Sequence, residues 1–127
     1  MKEKFENMLD QGKSHIESGN LQEGLPLIKQ GLVGLKDEIS FGHCFEIGMV
    51  LTSVKDASGN RVLDWHRVAT WLLQKCVDND AGMKFLEDNG QQQVIMIITG
   101  MLNAAKSELG ESIDNICHSA MRFLMQE

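Results

Sequence analysis

The segment Leu63–Val77 constrains the fold more than any other part of the chain. Its apolar residues point in nearly every direction around a helix of about 3.6 residues per turn, and they include both tryptophans. A helix that is apolar on most of its faces is buried, and other helices pack around it. The polar residues gather near its start, where Asp64, His66 and Arg67 flank Trp65. We therefore predict a central core helix with one polar end.

Six further segments have apolar residues at helical spacing, with charged residues between them. Gly, Asn, Asp and Ser residues separate these segments, as is typical of turns between helices. The predicted ranges are 2–18, 21–39, 41–54, 81–87, 92–109 and 112–125. The sequence contains no convincing strand and no convincing internal repeat. It predicts an all-α fold, a globular bundle of six to seven helices around the central helix, in a single domain over residues 1–127.

Several residues predict how individual helices begin and pack. Asn20 is expected to cap the second helix, and Pro26 is expected in its first turn. Gly31 and Gly34 indicate either the close approach of another backbone or a weak helix, because glycine costs about 1 kcal/mol relative to alanine in a helix interior. Asp64 is expected to act as the N-cap or as a first-turn anion of the central helix.

Composition excludes several classes of protein. A net charge of −6 disfavours nucleic-acid binding, which requires clustered Lys and Arg. Three cysteines without framework spacing indicate a reducing compartment. The longest apolar runs are about five residues, whereas a membrane span needs about twenty, and the N-terminus lacks the apolar stretch of a signal peptide. We expect a soluble, cytoplasmic protein without a membrane span.

No residue pattern indicates catalysis or a metal site. The His43–Cys44 and Cys117–His118 pairs lack the spacing that places several ligands on one side of an ion. Helical spacing places Ser112 and Asp114 on different faces, so they do not form a triad with His118. The glycines are scattered, and no phosphate-binding loop with its lysine is present. The sequence therefore predicts a protein that is not an enzyme and that needs no metal or cofactor.

The start of the central helix carries the most specific pattern in the chain. The letters D-W-H-R-V-A, at residues 64–69, follow the stretch F-E-I-G-M-V-L-T-S-V-K-D and a turn. This order resembles the first homology motif of the Bcl-2 family of apoptosis regulators, in which Asn-Trp-Gly-Arg opens a central apolar helix. Trp65 and Arg67 match the tryptophan and the arginine of that motif. Asp64 replaces its asparagine, and His66 replaces its glycine.

The resemblance covers about two-thirds of the chain and departs from the family in several places. Ile113, Ala120 and Phe123 lie where the second family motif is expected, but its Gly-Gly-Trp is absent. In the second helix Leu27 and Gly31 fit a Leu-x-x-x-Gly-Asp motif, whose aspartate is replaced by leucine. The spacing that follows implies a missing or reduced third helix. A short chain without a C-terminal membrane tail is similar to the members that large DNA viruses carry.

The resemblance implies an apoptosis inhibitor that sequesters the amphipathic pro-death helix of pro-apoptotic relatives in a surface groove. Arg67 would pair with the aspartate of that helix, beside Asp64 and Trp65, and the bulkier His66 would narrow the choice of partner. The predicted groove walls are Leu27, Ile28, Leu32 and Leu35 on one side and Phe45, Met49 and Val50 on the other. The alternative interpretations are core packing for these residues and an i−3 ion pair with Asp64 for Arg67.

The resemblance also implies a location in the cytoplasm and, through partners, at the mitochondrial surface. Two other functions stay open. One is a helical adaptor or immune-evasion protein of the same fold, which lacks a functional groove and could form a homodimer. The other is a fragment of a tetratricopeptide-like or armadillo-like scaffold. Gly12, Gly24 and Gly31 on either side of a Gly-Asn turn suggest such a unit, although nothing later in the chain repeats it.

Overall fold

Seven α-helices follow one another in the computed structural model, which describes residues 1–126 and in which no strand forms within that range. A short 3-10 turn, Lys36–Glu38, follows the second helix. The prediction of an all-α bundle is therefore confirmed, whereas Glu127 of the predicted domain lies outside the described residues. The helices are α1 (Lys2–Glu17), α2 (Leu21–Leu35), α3 (Phe41–Leu51), α4 (Leu63–Val77), α5 (Asp80–Asp88), α6 (Gln92–Leu109) and α7 (Ile113–Met125).

Helix α4 is the centre of the fold, as its apolar pattern predicts. It packs against α3, α5, α6 and α7. Its buried apolar side chains form one core with residues from every other helix, so four helices enclose α4 on most sides. Those side chains are Trp65, Val68, Ala69, Trp71, Leu72, Leu73 and Cys76. Over residues 1–126, no helix has both the length and the hydrophobicity that a bilayer crossing requires.

Helices α1 and α2 form a hairpin in which glycines allow very close contact. A Cβ atom added to Gly12 would lie 2.9 Å from the carbonyl oxygen of Gly24, and one added to Gly24 would lie 2.9 Å from that of Gly12. A Cβ at Gly31 would lie 2.7 Å from Leu9 Cδ2 and 2.9 Å from the Phe5 carbonyl oxygen. Of the two alternatives predicted for Gly31, close backbone approach is therefore the one observed.

Helix α2 ends earlier than its predicted range of 21–39, and Pro26 does not lie in its first turn. It begins at Leu21, so Pro26 is its sixth residue and not part of its first turn. The proline ring leaves the Gln22 carbonyl without its usual amide partner, but both residues are exposed, so the cost is small. The side chain of Asn20 makes no capping hydrogen bond. The helix ends at Leu35 because Lys36 turns the chain with a φ of 53°.

Candidate functional site

A hydrogen-bonded turn positions the start of α4. The carboxylate of Asp56 accepts hydrogen bonds from the backbone N–H groups of Ser58 and Asn60 at 2.9 and 3.0 Å. This arrangement closes the loop between α3 and α4. The N-cap position of α4 is Val62, and Asp64 lies in the first turn. Of its two predicted roles, Asp64 therefore has that of the first-turn anion.

Arg67 lies one turn into α4 and contacts two carboxylates. Its Nη2 atom donates to Glu111 Oε2 at 2.9 Å, and its Nη1 atom lies 3.5 Å from Asp64 Oδ1. The i−3 pair with Asp64 thus forms, but the shorter contact joins Arg67 to the residue that precedes Ser112, the N-cap of α7. Within the described residues the buried Nε atom of Arg67 donates no hydrogen bond. This N–H group is therefore buried without an acceptor in the described part of the chain, and only the two Nη atoms of Arg67 contact carboxylates.

Trp65 connects the start of α4 to α7. Its ring is buried and meets the ring of Phe123 edge to face, with 5.1 Å between the centroids. The ammonium of Lys29, from α2, lies 5.1 Å from the centre of the Phe123 ring. This stack combines apolar burial with favourable quadrupole contacts. It holds three helices together, so Trp65 has a structural role at this site.

An open depression of about 300 Å³ lies where the start of α4 meets α7. We call it the arginine depression, because two guanidinium groups face one carboxylate in its lining. That lining consists of Asp64, Arg67, Ser119, Arg122, Phe123 and Gln126. Two arginines beside an aromatic ring can hold a planar carboxylate through charge-assisted hydrogen bonds. The arrangement is therefore chemically suited to binding a carboxylate.

The sequence did not predict that Arg122 and Glu111 belong to this site. A usable signal existed for Arg122, because Ser119, Arg122, Phe123 and Gln126 are spaced i, i+3, i+4 and i+7, which is one face of a helix. No local pattern marks Glu111. Its contact with Arg67 joins residues 44 positions apart, and periodicity does not report which distant residue an arginine will meet.

His66 points into the protein and does not line the arginine depression. The residue is only 8% exposed, and neither ring nitrogen has a hydrogen-bond partner within the described residues. The carboxylate of Glu108, which Arg61 holds at 3.0 Å, lies 3.6 Å from His66 Nε2. Burial, and then the positive charge of Arg61, lowers the pKa of His66. The effect of His66 on partner choice stays a prediction.

The predicted groove walls do not form two facing, open surfaces. Helix α2 packs mainly on α1, whereas α3 packs mainly on α4. The α2 residues Ile28, Leu32 and Leu35 are at most 2% exposed and belong to the core. Three of the other wall residues are half-buried and pack against the core, namely Phe45, Met49 and Val50. Leu27 is also half-buried. The alternative interpretation, core packing, therefore fits Ile28, Leu32 and Leu35.

The cysteines and histidines considered for a metal site lie in different surroundings. Cys44 is buried and Cys117 is half-buried, and burial raises the pKa of the Cys117 thiol. His43 contacts Asp10 at 2.9 Å and so links α3 to α1. Among residues 1–126, no three His, Cys, Asp or Glu side chains are grouped so that they could hold a metal ion.

Comparisons of the chain with protein-family models, with curated proteins and with solved structures gave no match. The resemblance to the Bcl-2 family therefore rests on the residues around Trp65 and Arg67. Function has to be argued from the geometry of the site.

Proposed function

We propose that the protein is a helix-binding apoptosis inhibitor, which captures the amphipathic pro-death helix of a pro-apoptotic protein. The observation that supports this proposal best is the position of Arg67. Its guanidinium lies at the edge of an open depression, next to Arg122, and it already binds a carboxylate of its own chain. The aspartate of a ligand helix would take the place of Glu111 on the same guanidinium.

The proposal explains why a charged pair lies at a partly open site. The side chains of Arg67 and Glu111 are 22% and 25% exposed, so a ligand can reach the pair without unfolding the core. In this proposal Glu111 is an internal competitor, and its removal should tighten ligand binding.

Calorimetry with a synthetic pro-death peptide tests the proposal. We expect Arg67→Ala to weaken binding by about 2–5 kcal/mol, since the aspartate of the peptide would lose its partner at a partly desolvated site. Glu111→Gln should strengthen binding. Arg61→Ala is the matched control, because it removes one positive charge from outside the depression. Equal affinities of the wild type and Arg67→Ala would exclude the arginine from the mechanism.

One observation favours a second candidate, a scaffold fragment of the tetratricopeptide or armadillo kind. The α1–α2 hairpin is packed through Gly12 and Gly24 at backbone contact distance, which suits a stacked helical repeat. Such a protein would bind partners through an outer helical face. The same titration separates the candidates, because a scaffold of this kind would not bind the pro-death peptide and the fluorescence of Trp65 would not change.

A further inference from the structure

A second depression, of about 690 Å³, lies between α1, α2 and the end of α7. We call it the apolar groove. Its volume is in the range of about 300–1,000 Å³ that is typical of ligand sites. The side chains that form most of its lining are Phe5, Met8, Pro26, Val33, Leu124 and Met125. Met125 is 61% exposed, so this lining includes a large apolar side chain without a partner within the described residues.

The apolar groove is continuous with its neighbours. It shares Val33, Leu124 and Met125 with a smaller depression that reaches Trp71. It shares Gln126 with the arginine depression. The three depressions together form one surface that runs along α7. Helix α2 lies on the other side of the apolar groove and of the smaller depression, and the start of α4 lies on the other side of the arginine depression.

The charge of this surface is opposite to that of the protein. The whole chain has 12 basic and 18 acidic residues. Yet the only acidic residue that lines the three depressions within residues 1–126 is Asp64. The basic residues that line them are Lys4, Lys29, Lys36, Arg67 and Arg122. An apolar floor with a basic rim is complementary to a ligand that is apolar along its centre and acidic along its edges.

We infer that the apolar groove binds an acidic amphipathic helix of a partner protein. Apolar side chains at i, i+3, i+4 and i+7 of that helix lie over Val33 and Met125, and its carboxylates contact Lys4 and Lys29. The inference rests on the proposed function for the claim that the ligand is a helix. The inferred binding site lies between α1, α2 and α7, and not between the predicted walls on α2 and α3. The inference also adds that the acidic edges of the ligand helix are what the protein recognises.

The probe is a designed peptide of about 20 residues, with leucines on one face and glutamates on both flanks. A sister peptide with lysines in place of the glutamates is its control. We expect micromolar or tighter binding of the acidic peptide and no binding of the basic one. Binding should weaken as salt is added. Equal affinities for the two peptides, or no binding of either, would overturn the inference.

Charge reversal locates the binding site. The double variant Lys4→Glu/Lys29→Glu should weaken binding of the acidic peptide about tenfold, because two ion pairs at the rim of the groove become repulsive contacts. The matched control is Lys55→Glu/Lys106→Glu, which changes the net charge equally at exposed positions outside all three depressions. The control should bind like the wild type. If both double variants weaken binding equally, only net charge matters and the groove is not the site.

Methionine methyl groups give a readout that does not depend on variants. With ¹³C-labelled methionine methyls, the acidic peptide should shift the signals of Met8 and Met125, which line the apolar groove. The signals of Met83 on α5 and Met96 on α6 should stay in place, although Met96 is 80% exposed. Shifts confined to Met83 and Met96 would place the ligand elsewhere. Complete displacement of the peptide by a single-stranded oligonucleotide would overturn the inference, because the groove would then bind a nucleic acid and not a protein helix.

The outcome separates this inference from the proposed function. A pro-death peptide whose binding depends on Arg67 but not on Lys4 and Lys29 would support the proposed function and overturn the inference. If binding of the acidic designed helix depends on the two lysines and the pro-death peptide does not bind at all, the inference is supported and the proposed function is overturned.

Discussion

The two sides of α2 are packed in different ways. On the side of α1, glycine pairs bring the two backbones into contact, and buried side chains such as Leu9 and Ile28 leave no space between the helices. On the side of α7, contact is sparse, and the apolar groove lies between the helices. The same helix thus has one sealed interface and one open interface.

The difference indicates where the fold is complete. At the sealed interface the contacting side chains Leu9 and Ile28 are fully covered by the chain itself, so mutation there should change stability. At the open interface α7 is held mainly by α4, through the Trp65–Phe123 stack and the Arg67–Glu111 pair. The space between α2 and α7 is therefore available for a partner, and mutation there should change binding more than stability.

The largest expected change in the free energy of unfolding is at the sealed interface. Leu9→Ala should lower the free energy of unfolding by about 3 kcal/mol, because Leu9 is fully buried against Gly31 and its loss leaves a cavity. Urea unfolding followed by circular dichroism measures the change. The matched change at the open interface is Met125→Ala, which should cost less than about 0.5 kcal/mol. Similar costs at the two positions would remove the distinction between the interfaces.

A smaller loss is expected when a glycine of the hairpin gains a methyl group. Gly24→Ala should destabilise the protein by about 2 kcal/mol, because the new Cβ would lie 2.9 Å from the Gly12 carbonyl oxygen, and backbone cannot rotate away as a side chain can. Thermal unfolding measures the effect. Gly100→Ala on α6 is the control. Its Cβ would meet no atom within 4 Å, so higher helix propensity should stabilise the protein by about 0.5–1 kcal/mol. If Gly24→Ala also stabilises the protein, the helices are not in close contact.

The helices were predictable where one sequence segment contains all the information. The bounds of α4 and α6 agree with their predictions because each has a long apolar pattern and a clear stop. For α6 the stop is Gly110, which adopts a φ of 66° that glycine accepts without strain. The place of Pro26 and the end of α2 were predicted less well. Proline is common in first turns, but α2 begins at Leu21, so Pro26 is its sixth residue, and the helix stops at Leu35.

The candidate site was predictable only in its local half. The D-W-H-R segment identified Asp64 and Arg67 because their residue types and spacing are unusual at the start of an apolar helix. Arg122 and Glu111 come from another helix and its preceding turn, and their distance from Arg67 depends on how α7 packs on α4. The apolar groove was missed for the same reason. It is formed by residues of three helices, and the apolar pattern of each helix by itself predicts only core packing.

The attachment of α7 to α4 can be tested at its ion pair. Glu111→Gln should lower the free energy of unfolding by about 1 kcal/mol, since a short charge-assisted contact becomes a neutral one at a partly exposed site. Chemical unfolding at low and high salt measures it, and salt should reduce the difference between variant and wild type. Glu108→Gln is a useful comparison, because its partner Arg61 is more exposed and the loss should be smaller. Equal losses would mean that the Arg67 pair has no special part in holding α7.

The smallest expected change in stability is its dependence on pH through His66, the residue of α4 that lies near Glu108 of α6. The pKa of His66 is lower in the folded protein than in the unfolded chain, mainly because of burial. As pH falls through the usual histidine pKa of about 6.5, the unfolded chain takes up the proton first and is favoured. Stability should therefore decrease from pH 7.5 to pH 5.5, and His66→Gln should lose less stability than the wild type.

The other three histidines are present in both proteins, so their contributions cancel in this difference. Urea unfolding at the two pH values measures it, and equal losses would show that His66 is not the group responsible. In that case the loss of stability at low pH would come from other titratable groups of the protein.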